Sequence, residues 1–141
     1  MIKLSTKGHY GARLMLDLAI HYGEGPVLLK DISDRQEISV KYLWNLVDSL
    51  RIAGLVESYR GRHGGYTLAK KPSDITMKDI VFVFEGRSCI VDCVCNPSFC
   101  EKSPDCITRD LWCKLSDIIS ETLGDVTLED MVKRHKEMVL V

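Results

Sequence analysis

The chain has 141 residues, 45% of them hydrophobic and 28% charged, which suits one ordinary core that needs no covalent staples. Its best apolar run, Leu14 to Ile20, is broken by Asp17 and falls short of the ~18 residues of a membrane span, and the polar stretch after Met1 is unlike a signal peptide, so a cytoplasmic protein is expected. The net charge of −1 hides an asymmetry: residues 1–71 carry eleven Lys/Arg against seven Asp/Glu, and residues 72–141 carry eight against thirteen. A basic first half suits a polyanionic partner.

Residues 6–22 predict a helix, with Leu14, Leu16, Leu18 and Ala19 among its apolar positions and Gly23-Glu24-Gly25-Pro26 as its stop. Val27-Leu28-Leu29 is a short apolar run, and Lys30 to Gln36 a short helix. Ser39 caps a third helix from Val40 to about Ala53, whose Leu43, Leu46, Val47 and Leu50 fall on one stripe before Gly54 ends it. Leu55 to Arg60 and Gly65 to Leu68 alternate as two strands joined by the basic turn Gly61-Arg62-His63-Gly64. Thr76-Met77-Lys78-Asp79 resembles a capping box opening a helix through Phe84 that Gly86 stops. A cysteine-rich loop follows. A long amphipathic helix then spans about Thr108 to Leu123, with Leu111, Leu115, Ile118, Ile119 and Thr122 on one face, and Thr127 opens a last helix.

Three helices and a hairpin in that order predict a mainly α fold with a small β-hairpin, the winged helix-turn-helix, with the third helix in the major groove and the hairpin as the wing. Lys41, Asn45 and Asp48 lie opposite the leucine stripe, and Trp44 sits about 110° from its centre. Lys41 can meet phosphate or guanine, Asn45 adenine, and Trp44 a thymine methyl or a sugar. Arg60, Arg62 and His63 on the wing, beside glycines that allow close backbone approach, suit phosphate. Thr6 and Lys7 at the start of the first helix, and Ser39 and Tyr42 at the start of the third, complete the candidate contacts with double-stranded DNA. A small α/β domain using the same pieces only for packing is the plain alternative.

All six cysteines lie between Cys89 and Cys113, at 89, 93, 95, 100, 106 and 113. Such clustering fits a metal or iron–sulfur centre better than the spread disulfides of a secreted domain. Structural zinc is one alternative, though no C-x₂-C knuckle is present, and a thiol–disulfide switch is another. No residue constellation supports an enzyme. Asp110 and Asp117 read as a solvated helix face.

Three stretches carry a family resemblance: Leu4-Ser5-Thr6-Lys7-Gly8-His9-Tyr10, Arg60-Gly61-Arg62-His63-Gly64-Gly65-Tyr66-Thr67-Leu68-Ala69, and Cys100-x₅-Cys106-Ile107-Thr108-Arg109-Asp110-Leu111-Trp112. They resemble the Rrf-two-type family of bacterial winged-helix transcriptional regulators, with its IscR-like and NsrR-like iron–sulfur members. The resemblance implies a homodimer formed through the long helix, a pseudo-palindromic operator, repression or activation of transcription, and an iron–sulfur cluster held by three loop cysteines, with [2Fe–2S] ahead of [4Fe–4S]. It divides the chain into a DNA-binding domain (1–86), a cluster-binding loop (87–106) and a dimerisation and C-terminal part (107–141).

Cys100 and Cys106 match the family's second and third ligands. Cys93, six residues before Cys100, is preferred as the first over Cys95, four before it, where five are usual. IscR-like members place a histidine three residues after the last cysteine, where this chain has Arg109, which has no lone pair to offer iron. Cys113, seven residues past Cys106, would sit about 10 Å away along one helix, too far for the same site. The fourth ligand therefore stays open between His9, Cys95, Cys89 and an exogenous group. His9 leads, because NsrR-like members supply a carboxylate there from the partner's first helix, and imidazole binds iron. Trp44 stands where IscR-like members carry a glutamate that helps discriminate bases, so their operator does not transfer.

Overall fold

Ser5 starts the first helix by accepting the Gly8 amide on its hydroxyl at 3.0 Å. The computed structural model describes residues 3–86 and 89–140; the first two positions of the predicted cysteine loop, 87 and 88, lie outside the described residues. Helix α1 (Thr6–Ile20) stops two residues before the expected end, because His21 leaves helical geometry and a turn follows. Its buried side carries Leu14, Met15, Leu18 and Ala19. α2 (Leu29–Gln36) begins one residue before the expectation, and Glu37 ends it with a left-handed backbone. α3 (Val40–Ile52) is capped by Ser39, and its predicted stripe, Leu43, Leu46, Val47 and Leu50, is buried. These residues form one core with Ile32, Ile38, Ile75 and Ile80.

The hairpin is shorter than expected: β1 (Val56–Tyr59) pairs antiparallel with β2 (Gly65–Leu68), Val56 opposite Leu68 and Tyr59 opposite Gly65. Sequence reading left Val27 in an apolar run. The structure pairs it with Tyr66 through two backbone hydrogen bonds of 2.9 and 2.8 Å, which extends the wing toward the start of α2. Gly65 makes this possible. A Cβ there would lie 2.6 Å from the Val27 carbonyl oxygen, and its φ of 141° suits no L side chain. The glycines of the wing motif thus serve packing as well as any close approach to phosphate.

α4 (Met77–Glu85) runs one residue beyond the expected Phe84, and the predicted capping box of Thr76 and Asp79 is formed. α4 packs closely on α1. A Cβ on Gly11 would run into the Phe84 ring, and one on Gly8 would come 2.8 Å from Glu85 Oε1. Between α4 and the long helix the chain makes the one-turn helix α5 (Asp92–Cys95) and two 3₁₀ turns, Pro97–Phe99 and Ser103–Asp105. α6 (Ile107–Asp125) then lies against α4 and α5. Ser116 is its one buried residue, while Ile107, Leu111 and Ile118 of its apolar side stay exposed.

α7 (Leu128–Val139) returns to the core and packs on α1. Thr127 and Asp130 close a second capping box. It stands beside the first, joined by hydrogen bonds from the Met77 amide to the Val126 carbonyl (2.8 Å) and from the Leu128 amide to the Ile75 carbonyl (2.9 Å). Leu128 is fully buried in the core shared with Leu14 and Leu43. No described helix is long and apolar enough to cross a membrane.

Asp17, the residue that broke the apolar run, is 2% exposed and ties α1 to α2. Arg35 donates through Nε at 3.0 Å and Nη2 at 2.7 Å, and Gln36 adds a third bond at 3.1 Å. Arg13 donates in turn to the Gln36 side chain at 3.2 Å and to its backbone carbonyl. Burial pushes the Asp17 carboxyl pKa up, but the bonds from Arg35 and Gln36 and the charges of Arg35 and His21 together hold it below the ordinary carboxylate value. A lowered folded pKa contributes stability that is present above the unfolded value of about 3.9 and is lost as pH falls through the folded value. Asp17→Asn should therefore cost about 2 kcal/mol near neutral pH. In urea titrations the loss should shrink toward pH 3; an equal loss at both pH values would contradict this linkage.

Candidate nucleic-acid interface and cysteine segment

Lys41, Trp44 and Asn45 are exposed on the side of α3 opposite its buried stripe, with Trp44 56% exposed. Asp48, half-buried, is bound to Arg51 at 2.8 Å. Two further candidates have structural partners. The Ser39 hydroxyl accepts the Tyr42 amide at 3.2 Å, and the half-buried Tyr42 ring stands edge-on to Tyr10, 5.7 Å between centroids. Thr6, Lys7 and His9 are exposed at the start of α1, and Arg60, Arg62 and His63 are exposed at the wing tip. The start of α1, the open face of α3 and the wing therefore offer exposed cationic and hydrogen-bonding side chains, with Leu4, Val40, Trp44 and Tyr59 as exposed apolar residues among them.

The cysteine segment is built differently. Cys89 and Cys95, both held above as reserve ligands, are paired as a disulfide, with Cα atoms 5.8 Å apart. Cys93, Cys100, Cys106 and Cys113 are free thiols. Cys93 is half-buried on α5, Cys100 is exposed after the first 3₁₀ turn, and Cys106 is half-buried as the residue that starts α6. Among the described residues, no three His, Cys, Asp or Glu side chains of one chain converge closely enough to hold a metal ion. His9 makes no such group with the described cysteines of its own chain.

The donor chemistry nonetheless fits an iron–sulfur group. Three free thiols remain at the positions preferred from spacing. The Cys106 thiol is held below its ordinary pKa, first by the Thr108 hydroxyl 3.2 Å from its sulfur, then by the amides of Arg109 and Thr108 at the open end of α6. That favours the thiolate, the form that ligates metal. The Ser103 hydroxyl, in the turn between Cys100 and Cys106, is buried with no hydrogen-bond partner among the described residues.

Sequence reading missed what holds this segment. Arg109, which cannot ligate iron but has hydrogen bonds to offer a cluster's sulfurs, donates through Nε to the Cys93 carbonyl at 3.1 Å. The Ile90 amide reaches Ser116 Oγ at 3.5 Å. Glu85, the last residue of α4, accepts the Ser5 amide at 3.0 Å and so ties the approach to the cysteines to the N-terminus of α1. Nothing in the spacing of Ser5 and Glu85, 80 positions apart, could have announced that contact.

A helix-turn-helix with a basic-tipped wing and an open third helix defines a winged-helix transcriptional regulator, not an enzyme. A family model described as Rrf2, iron-dependent transcriptional regulator, matches residues 4–134, and the chain belongs to that family. It is 41% identical over 132 residues to the protein rrf2 of Nitratidesulfovibrio vulgaris, covering 94% of this chain and 88% of that one. Among solved structures, CymR, the global cysteine regulator of Bacillus subtilis, superimposes with a TM-score of 0.80 at 42% identity, covering 95% of this chain and 98% of its own. The IscR of T. potens does so with a TM-score of 0.80 at 46% identity, covering 97% and 90%.

If α3 reads bases and the wing holds phosphate, two substitutions should separate. Trp44→Ala should reduce the preference for operator over random DNA by roughly 5–150-fold, the worth of about 1–3 kcal/mol per base contact. Arg60→Ala should weaken binding to both and reduce the salt slope by about 1. Fluorescence anisotropy across a salt series reads both quantities, and an equal loss on specific and random DNA for Trp44→Ala would contradict its role.

Proposed function

We propose that this transcriptional regulator changes its operator affinity with the state of an iron–sulfur cluster bound in the segment from Cys93 to Cys106. The observation that carries the proposal is the donor set: three free thiols in one short segment, one of them biased toward thiolate. Cys93, Cys100 and Cys106 would hold the cluster, and His9 of a second copy would supply the fourth ligand. The group, when bound, would supply a redox- and nitric-oxide-sensitive centre, and its loss would free the segment.

The chain's own residues supply the linkage. Glu85 holds the Ser5 amide, and Arg109 holds the Cys93 backbone to α6. Ordering or loosening the cysteine segment would therefore bear on the start of α1, which carries Thr6, Lys7 and His9. The exposed apolar side of α6 (Ile107, Leu111, Ile118) supports pairing with a second copy, and with it a pseudo-palindromic operator. A cytoplasmic, reducing location suits these free thiols.

The pairing of Cys89 with Cys95 favours a second reading, a thiol–disulfide switch. Forming that bond removes two electrons and two protons from the dithiol, which a peroxide or another disulfide would take up.

Anaerobically purified protein should be coloured and contain iron and inorganic sulfide together, and Cys100→Ala should lose both. Colourless protein holding one zinc per chain would count against the cluster. Operator affinity that follows the Cys89–Cys95 bond in metal-free protein, and disappears in Cys95→Ser, would favour the thiol switch instead.

A further inference from the structure

The Ser103 hydroxyl is an anomaly in an otherwise well-satisfied chain. Ser103 is 5% exposed, and its Oγ has no hydrogen-bond partner, the one buried side-chain oxygen or nitrogen among the described residues of which this is true. Leaving a buried hydroxyl unpaired costs about 1–3 kcal/mol, so a partner is expected wherever the protein functions. The backbone of the turn is bonded within itself. The Ser103 amide donates to the Cys100 carbonyl at 3.1 Å, and the Asp105 amide donates to the Lys102 carbonyl at 3.1 Å.

Its place in the chain narrows what the partner is. Ser103 opens the 3₁₀ turn that joins Cys100 to Cys106, three residues from each. Its backbone is folded back onto Cys100, while Cys106 begins α6 on the other side of the turn. A metal-bound thiolate or sulfide is an acceptor with no proton of its own, and a serine hydroxyl is a donor free to rotate toward it.

We propose that Ser103 donates its hydroxyl hydrogen bond to a sulfur of the iron–sulfur group held by Cys100 and Cys106, and thereby raises that group's reduction potential. The inference rests on the cluster reading above. A hydrogen bond to sulfur stabilises the more negative, reduced form, so removing it makes reduction harder. Ser103 is thus a tuning residue outside the ligand set, on the turn that sets the separation of two ligands.

The test is a dye-mediated reductive titration of full-length, anaerobically purified protein, wild type against Ser103→Ala, with iron and sulfide analysis of each sample. The expected result is an unchanged iron content with the one-electron reduction equilibrium about tenfold less favourable, a shift of roughly 59 mV downward. Ser103→Thr, which keeps the hydroxyl, should stay near wild type. Full iron with an unshifted potential in Ser103→Ala overturns the proposal while leaving the cluster reading intact. So does a shift in dimer dissociation with no shift in potential, which would give the hydroxyl a partner on the second copy. Wild type lacking iron and sulfide overturns both. If Ser103→Ala fails to retain iron, Ser103→Thr and Ser103→Val, equal in shape, decide: iron retained only by threonine supports the hydroxyl's role, and equal behaviour overturns it.

Discussion

The close approach of α1 and α4 is the constraint on which the rest of the molecule depends. Gly8 and Gly11 leave no side chain between the helices, so the Phe84 ring and the Glu85 carboxylate settle against the α1 backbone. That packing lets Glu85 reach the Ser5 amide, one of the donors a helix start otherwise leaves unpaired. It also sets where α4 ends and therefore where the cysteine segment begins. Larger residues at positions 8 and 11 would push the two apart and separate the exposed start of α1 from the chain that leads into the cysteines.

A second layer of polar contacts fixes the helix-turn-helix on that base. Buried Asp17 holds α2 through Arg35 and Gln36, and Arg13 holds the same Gln36 from one turn earlier on α1. α1 thus carries the orientation of α2 and, through Tyr10 against Tyr42, of α3. At the far side, the paired capping boxes of Thr76 and Thr127 bring α7 back to the core through Leu128. α6 is left outside this arrangement with its apolar side open. One well-anchored body, a cysteine segment on its edge and an exposed apolar helix face suit the ligand-controlled dimer proposed above.

Much of this was legible in the sequence because it is local. The Ser39 cap, the leucine stripe of α3, the Thr76 capping box and the wing motif each follow from residues within a few positions of one another, and all are present, with the first wing strand one residue shorter at each end. Non-local pairings were not legible. The Val27–Tyr66 bridge, the Glu85–Ser5 bond and the role of Asp17 depend on chain brought together from far apart, and a short window cannot see them. The candidate site divides the same way. Ligand spacing nominated Cys93, Cys100 and Cys106, and these are free thiols. The pairing of Cys89 with Cys95, the anchoring of Cys93 by Arg109 and the orphan hydroxyl of Ser103 follow from the path of the loop, which spacing does not determine.

In the proposed mechanism, the state of the cysteine segment sets the affinity of the α1, α3 and wing surface for DNA. Its most direct test is the operator affinity of one preparation measured at fixed salt before and after the iron is stripped with a chelator under anaerobic conditions. A change of about 5–150-fold, the usual range of an allosteric coupling, is the predicted result. Equal affinity of the iron-loaded and stripped forms would contradict the account.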